Sequence, residues 1–141
     1  PLLPVEEAGR LTDPVLKENF IQRVFAYHDW QQLKKGSLNI NKLMGFHSRY
    51  KYSLMSHSPD LCIKLGRMLA KGHASEIEKL GNGYFTLFME TLIRKATRKT
   101  NTNVLMHLQG YLKTKLDRKE TESLGKAVEQ YRLGILPIIV S

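Results

Sequence analysis

His47 and Lys51 stand one helical turn apart in "HSRYKYSLMSH" (47–57), a run that also holds Arg49, Tyr50, Tyr52 and His57. A histidine beside a lysine can do chemistry. The imidazole exchanges a proton near neutral pH, and a desolvated lysine loses its proton and becomes a base or nucleophile. A second set lies downstream, where Asn103, His107, Gly110 and Thr114 recur at i, i+4, i+7 and i+11 and so share one helix face. A glycine between an amide and a threonine leaves room for a close approach by another helix, a phosphate backbone or a ligand. Helix packing is the commoner use of such a gap. Arg94, Lys95, Arg98 and Lys99 come just before this face and Lys113 just after it. If the basic run is helical, Arg94 shares a side with Arg98, and Lys95 with Lys99. Free N–H groups at the start of the following helix would add to their pull on an anion.

Several chemistries are excluded by what is missing. The sequence holds no HExxH, no phosphate-binding glycine-rich loop and no nucleophile elbow. Acids are scarce in the middle of the chain, which argues against hydrolysis by paired carboxylates. His47, His57 and His107 do not have the spacing of a zinc site, and no metal or other cofactor is expected. Cys62 is the single cysteine, so no internal disulfide or cysteine-held cluster can form within this chain, and a reducing cytoplasm fits. Tyr50, Tyr52, Tyr84 and Tyr111 lie among the bases. They could stack on unpaired nucleobases, although tyrosines in helical proteins more often edge a core.

The elements that must position these groups read as helices. Asp13-Pro14 looks like a cap and first helical residue, with Leu16, Phe20, Val24 and Tyr27 at helical spacing as far as about Lys34. Asn39 caps a second helix to about Ser56, and Ser58-Pro59 starts a third that Gly72 ends. Ser75 opens a fourth, with Ile77, Leu80, Tyr84, Leu87 and Leu92 inward and Gly81 and Gly83 weakening its first turns. A fifth spans about Asn101 to Leu116, and Asp117 with Glu120 resembles a capping box for a sixth that stops at Gly134. On the second helix Ile40, Leu43, Met44, Tyr50 and Leu54 form an apolar stripe, with His47 at its middle and Lys51 beside it. Lys51 must then snorkel, pair or line a cavity, while Arg49, Ser53 and Ser56 face the other way. The plainer reading is a hydrogen-bonded core histidine beside a lysine at the core margin. No segment alternates as a strand does. The expected fold is all-α, a single compact helical domain of five to seven helices over residues 13–141, after an extended lead-in at 1–12.

Charge narrows the partners. Of the net +9, residues 1–20 contribute −2, residues 21–116 contribute +11, and residues 117–141 balance. Between Glu90 and Asp117 there is no acid at all. A one-sign region of this kind favours a polyanion, nucleic acid before a membrane surface or an acidic protein. No apolar run approaches the roughly 18 residues of a membrane-spanning helix. The chain begins at Pro1 rather than Met, as a piece of a longer protein would.

Three stretches, "HSRYKYSLMSHS" (47–58), "TNTNVLMHLQGYLK" (100–113) and "YRLGILPIIV" (131–140), resemble the YbgA-like family, a bacterial helical domain of unknown function. "LPVEEAGRLTDPVLKENFIQRVFAYHDW" (3–30) is similar to the junction found where this domain follows a thiouracil-desulfidase-type domain. The resemblance covers nearly the whole chain. Fused proteins of that kind remove sulfur from thiolated uracil or tRNA thiouridine, with chemistry that belongs to the other domain. The resemblance therefore implies an accessory role for this chain, tRNA binding, beside a desulfidase-type domain in cis or in trans. The family's marked positions fall on His47, Lys51, Tyr52, His57, Asn103, His107, Gly110 and Tyr111. Two departures stand out: Ser56 replaces a usual alanine, and the family continues into another helix where this chain ends at Ser141. A missing final helix would expose apolar surface near Ile135–Val140 or let a second copy of the chain cover it.

Three expectations follow. The first is a cytoplasmic RNA-binding domain without catalytic activity of its own, with Arg94, Lys95, Arg98, Lys99 and Lys113 on phosphates. His47, Lys51, Tyr52, His57, Asn103, His107, Gly110 and Tyr111 would line a nearby groove. The second is a small-molecule or enzymatic site in which His47, Lys51 and His107 converge. The third is a module that docks on a catalytic partner through an exposed apolar patch.

Overall fold

Five of the six α-helix starts among the described residues are written by the side chains that cap them. The computed structural model, which describes residues 3–135, places a helix behind each. Asp13 accepts from the N–H groups of Val15 and Leu16 and opens α1 (Pro14–Lys34). Asn39 accepts from Lys42 and opens α2 (Ile40–His57), and Ser58 accepts from Leu61 ahead of α3 (Pro59–Lys71). A 3-10 turn at Ala74–Glu76 leads into α4 (Ile77–Ile93). α5 (Arg98–Leu112) and α6 (Arg118–Arg132) each start from a reciprocal capping box, Thr97 with Thr100 and Asp117 with Glu120. Each such cap contributes about 1 kcal/mol. Six α-helices and no strand occur among the described residues, and the fold is all-α.

Four boundaries differ from the sequence expectation. Ser75 does not open α4 but lies in the 3-10 turn before it, and α5 ends at Leu112 rather than Leu116. α5 begins three residues early because the Thr100 hydroxyl plays the part usually given to Glu or Gln, accepting from the Thr97 N–H at 2.8 Å. Ala8–Thr12 is not extended. It winds into a 3-10 helix whose Thr12 hydroxyl bonds the Gly9 carbonyl, and Glu6 ties this lead-in to α1 through Arg23.

α4 is the central helix, with Tyr84, Phe85, Phe88, Met89, Thr91 and Leu92 all buried. α1, α2 and α3 pack on it, α2 also packs on α3 and α5, and α5 carries α6. Aromatic rings form the middle of the core. Trp30 stacks on Phe85 with centroids 4.5 Å apart, and Phe46 meets Trp30 edge-on at 5.3 Å. Gly81 has a reason to be in α4: a Cβ there would stand 3.2 Å from Leu38 and 3.7 Å from Trp30. Its cost to the helix is offset by the close approach of those two side chains. Truncating Trp30 or Phe46 to alanine is expected to cost about 3–5 kcal/mol.

The apolar stripe of α2 is rotated from the expected one. Leu43, Phe46, Leu54 and His57 are buried, while Met44 is half exposed. Phe46, not Met44, faces α4. That rotation leaves His47 at the core edge and puts Lys51 on the solvent side. No helix among the described residues is long and apolar enough to cross a membrane.

Candidate nucleic-acid interface

The basic run ahead of α5 is not one helix. Arg94 is extended at ψ 135° as the chain leaves α4, and Thr97 is extended again as the α5 cap. Arg94 and Lys95 therefore sit on a link, and only Arg98 and Lys99 are helical, so the expected pairing of faces does not form. The α5 cap also uses two of the N–H groups that would have faced an anion, those of Thr97 and Thr100.

His57 fixes that link in place. Its Nδ1 lies 2.5 Å from the Arg94 carbonyl and its Nε2 lies 3.0 Å from the Gln22 side-chain amide of α1. Burial holds the imidazole pKa below its usual 6.5, with the Arg94 carbonyl opposing in part. The neutral ring donates from Nδ1 to the carbonyl, which can only accept, so its Nε2 accepts and the Gln22 amide turns its NH2 group toward it. Asn19 adds a second tie from α1, donating to the Leu92 carbonyl at 2.8 Å near the end of α4. Thus α1 and α2 together set where the cations of the link stand.

Arg98 holds Tyr131 in two ways. One nitrogen donates to the Tyr131 carbonyl at 2.6 Å, and the guanidinium lies over the Tyr131 ring at 5.1 Å. It pins the end of α6, where Gly134 takes φ +83° to stop the helix. The same residue separates two hollows. One, of about 340 Å³, lies between α1 and the link and is lined by Gln22, His57, Lys95, Arg98 and Asn101 among others. The other, of about 540 Å³, lies between α5 and α6 and is lined by Arg98, Lys99, Thr102, Asn103, Met106 and Arg132. Arg132 was not expected from the sequence. Its charge is shared with Glu129, which it meets at 2.5 Å, so Arg98 and Lys99 give this groove its sign.

The outer face of α5 continues from that groove. Asn103 is half-buried, whereas Met106, His107, Gly110 and Tyr111 are exposed. Nothing lies within 4 Å of the position a Gly110 Cβ would take, so no helix of the described chain packs there. A glycine inside a helix costs roughly 1 kcal/mol relative to alanine, and here no contact within the fold offsets it. Tyr111 is held by Lys115, whose ammonium lies 4.6 Å over the ring and 3.3 Å from its hydroxyl. Lys113 is exposed in the turn after the helix. Along the helix axis it lies about 21 Å from Lys99 at 1.5 Å per residue.

The histidine and lysine of α2 have other surroundings. His47 Nδ1 lies 2.9 Å from the hydroxyl of Tyr84, which is fully buried. Burial pushes the phenol pKa far up, so Tyr84 keeps its proton and donates it to His47. The imidazole pKa is lowered, by burial first and by the Lys51 charge second. His47 is therefore a neutral ring with its proton on Nε2, facing Gly66 of α3, where a Cβ would stand 3.4 Å away. Cys62 donates from Sγ to the Lys51 carbonyl at 3.6 Å, and burial raises its pKa, which keeps it a thiol. Lys51 is exposed, and none of the ion pairs among the described residues includes it. Tyr50 donates to Asp29, which Arg49 also approaches at 3.9 Å. Tyr52 lies at the surface.

The expected groove residues therefore divide. Asn103 lines the groove with Arg98 and Lys99, and His107, Gly110 and Tyr111 extend it along α5. His47 and His57 are bonded into the fold, and no hydrogen bond among the described residues joins His47 or Lys51 to His107. No group of three potential metal-ligating side chains occurs among the described residues. Of the apolar segment expected at Ile135–Val140, Ile135 is 65% exposed and the rest lies outside the described residues.

Comparison with known proteins gives two findings. The family described as "Protein of unknown function (DUF1722)" matches residues 51–141. The uncharacterized protein YbgA of Escherichia coli (strain K12) is 34% identical over 118 residues, covering 83% of this chain and 70% of that protein. No solved structure matches the chain.

Proposed function

The chain belongs to the YbgA-like family of unknown function, and from that premise we propose that it is an RNA-binding domain, with tRNA as its partner. It would act in the cytoplasm and present RNA to a separate desulfidase-type catalytic domain. One observation carries the reading: every charged side chain from Arg94 to Lys115 is basic, and each is exposed around α5. Phosphates would meet Lys95 and Lys99 at one end of α5 and Lys113 and Lys115 at the other. The free edge of Arg98 would face the groove between them. Backbone contacts of this kind supply affinity without sequence preference.

Titration of labelled tRNA at about 50 and 200 mM salt tests the reading. The dissociation constant should rise steeply between the two, by about tenfold or more for several phosphate contacts. The triple variant Lys95→Ala/Lys99→Ala/Lys113→Ala should flatten that dependence while leaving the melting temperature in place. Absence of binding at the lower salt overturns the proposal, as does unchanged affinity in the triple variant.

A further inference from the structure

Resting on the RNA reading above, we infer that the outer face of α5 takes unpaired nucleotides, with the gap at Gly110 as a seat for one base. Two rows run along this face at four-residue spacing. One is Lys99, Asn103, His107, Tyr111 and Lys115, and the other is Met106, Gly110 and Thr114. Gly110 is where the second row loses its side chain. Its neighbours across and along the rows are His107, Tyr111, Met106 and Thr114, which gives a slot with two rings and a thioether at its borders.

Four observations point to a base in that slot. Met106 and Tyr111 are 58% and 61% exposed, a large apolar area for a strongly basic surface. Gly110 meets nothing within 4 Å and so is not used by the fold. Tyr111 is held in orientation by Lys115, so its ring is set before any partner arrives. The Asn103 and His107 side chains make no hydrogen bond among the described residues and remain able to meet a base edge. The charge identifies the partner, because Lys99 and Lys115 close the row at its two ends and no carboxylate interrupts it. A cationic row with rings and a gap between its cations fits a strand whose phosphates alternate with flat, stackable bases. Duplex RNA keeps its bases paired and stacked on one another, and would leave Met106 and Tyr111 without a partner.

The test compares a labelled, unstructured RNA oligonucleotide with a blunt duplex containing the same sequence, at one salt concentration. The single strand should bind at least about tenfold more tightly, the value of one good stacking contact. Tyr111→Ala, and Gly110→Leu, which fills the slot while favouring the helix, should each lose about tenfold on the single strand and little on the duplex. Tyr111→Phe should restore binding. Equal affinity for both forms, with neither variant changing it, overturns this inference and leaves the RNA reading in place. Failure of both RNAs to bind at low salt overturns both proposals. Polyglutamate that competes as well as RNA overturns both as well, and assigns the face to an acidic protein.

Discussion

α2 and α5 carry similar side chains and point them in opposite directions. Each has a histidine with a polar residue four positions away, exposed tyrosine and a glycine. On α2 the two histidines turn inward. His47 accepts a hydrogen bond from a buried phenol, and His57 joins α1 to the link before α5. On α5 the histidine, the glycine and Tyr111 turn outward and meet little of the fold, while the half-buried amide edges the groove. The motif histidines of α2 are therefore struts, whereas His107 on α5 is free to act on a partner. The difference follows from packing. α2 lies between α3, α4 and α5, whereas α5 has only α2 and α6 against it as strong neighbours.

Breaking the strut should have the largest effect. His57→Ala removes both bonds of the tie and leaves the part-buried Arg94 carbonyl without its donor, at a cost of about 2–4 kcal/mol read by urea unfolding. It should also weaken RNA binding indirectly, through Lys95 and its link. An unchanged unfolding midpoint would refute the strut. Tyr84→Phe, on α4, is the milder test of what holds α2. It takes the donor from His47 and should cost about 1–2 kcal/mol, with RNA affinity unchanged if α2 serves structure alone.

Acid should act on α2 as well. The folded pKa values of His47 and His57 lie below 6.5, so under weakly acidic conditions the unfolded chain binds protons that the folded chain does not. Unfolding free energy should be flat above about pH 6.5 and fall as pH drops through the lowered values, levelling below them. Chemical unfolding at a series of pH values, with wild type beside His57→Gln, would show whether His57 carries part of that slope. A slope of opposite sign would mean that the rings are charged when folded.

The smallest effect is expected on α5 and has the opposite sign. Gly110→Ala should raise stability by about 0.5–1 kcal/mol, since nothing packs on that position. A loss of stability would reveal a contact made by the fold itself and would end the contrast between the two helices.

Much of the frame was readable in the sequence because caps are local. Asp13-Pro14, Asn39, Ser58-Pro59 and the Asp117–Glu120 box each act within four residues of the helix they open. The start of α5 was missed because Thr100 closes its box with a hydroxyl, a weaker signature than a carboxylate. The inward tilt of α2 was misread by one position, since Met44 and Phe46 are both apolar and only the arrangement of Trp30 and Phe88 favours the ring. The candidate site divides on the same ground. His107, Gly110 and Tyr111 share a face by spacing alone, and spacing is legible. The bonds of His47 to Tyr84 and of His57 to Arg94 each span 37 residues, and no local pattern announces them.

Trp30 is the only tryptophan, 2% exposed, and its ring neighbours Phe46, Tyr84 and Phe85 belong to α2 and α4. The molecule thus carries a single optical probe at its centre. Its emission should be blue-shifted and shielded from acrylamide until the domain opens. A ligand seated on α5 should leave that signal almost unaltered, while loss of the strut on α2 should not. Fluorescence from one cuvette would then separate what a substitution does to the scaffold from what it does to the surface.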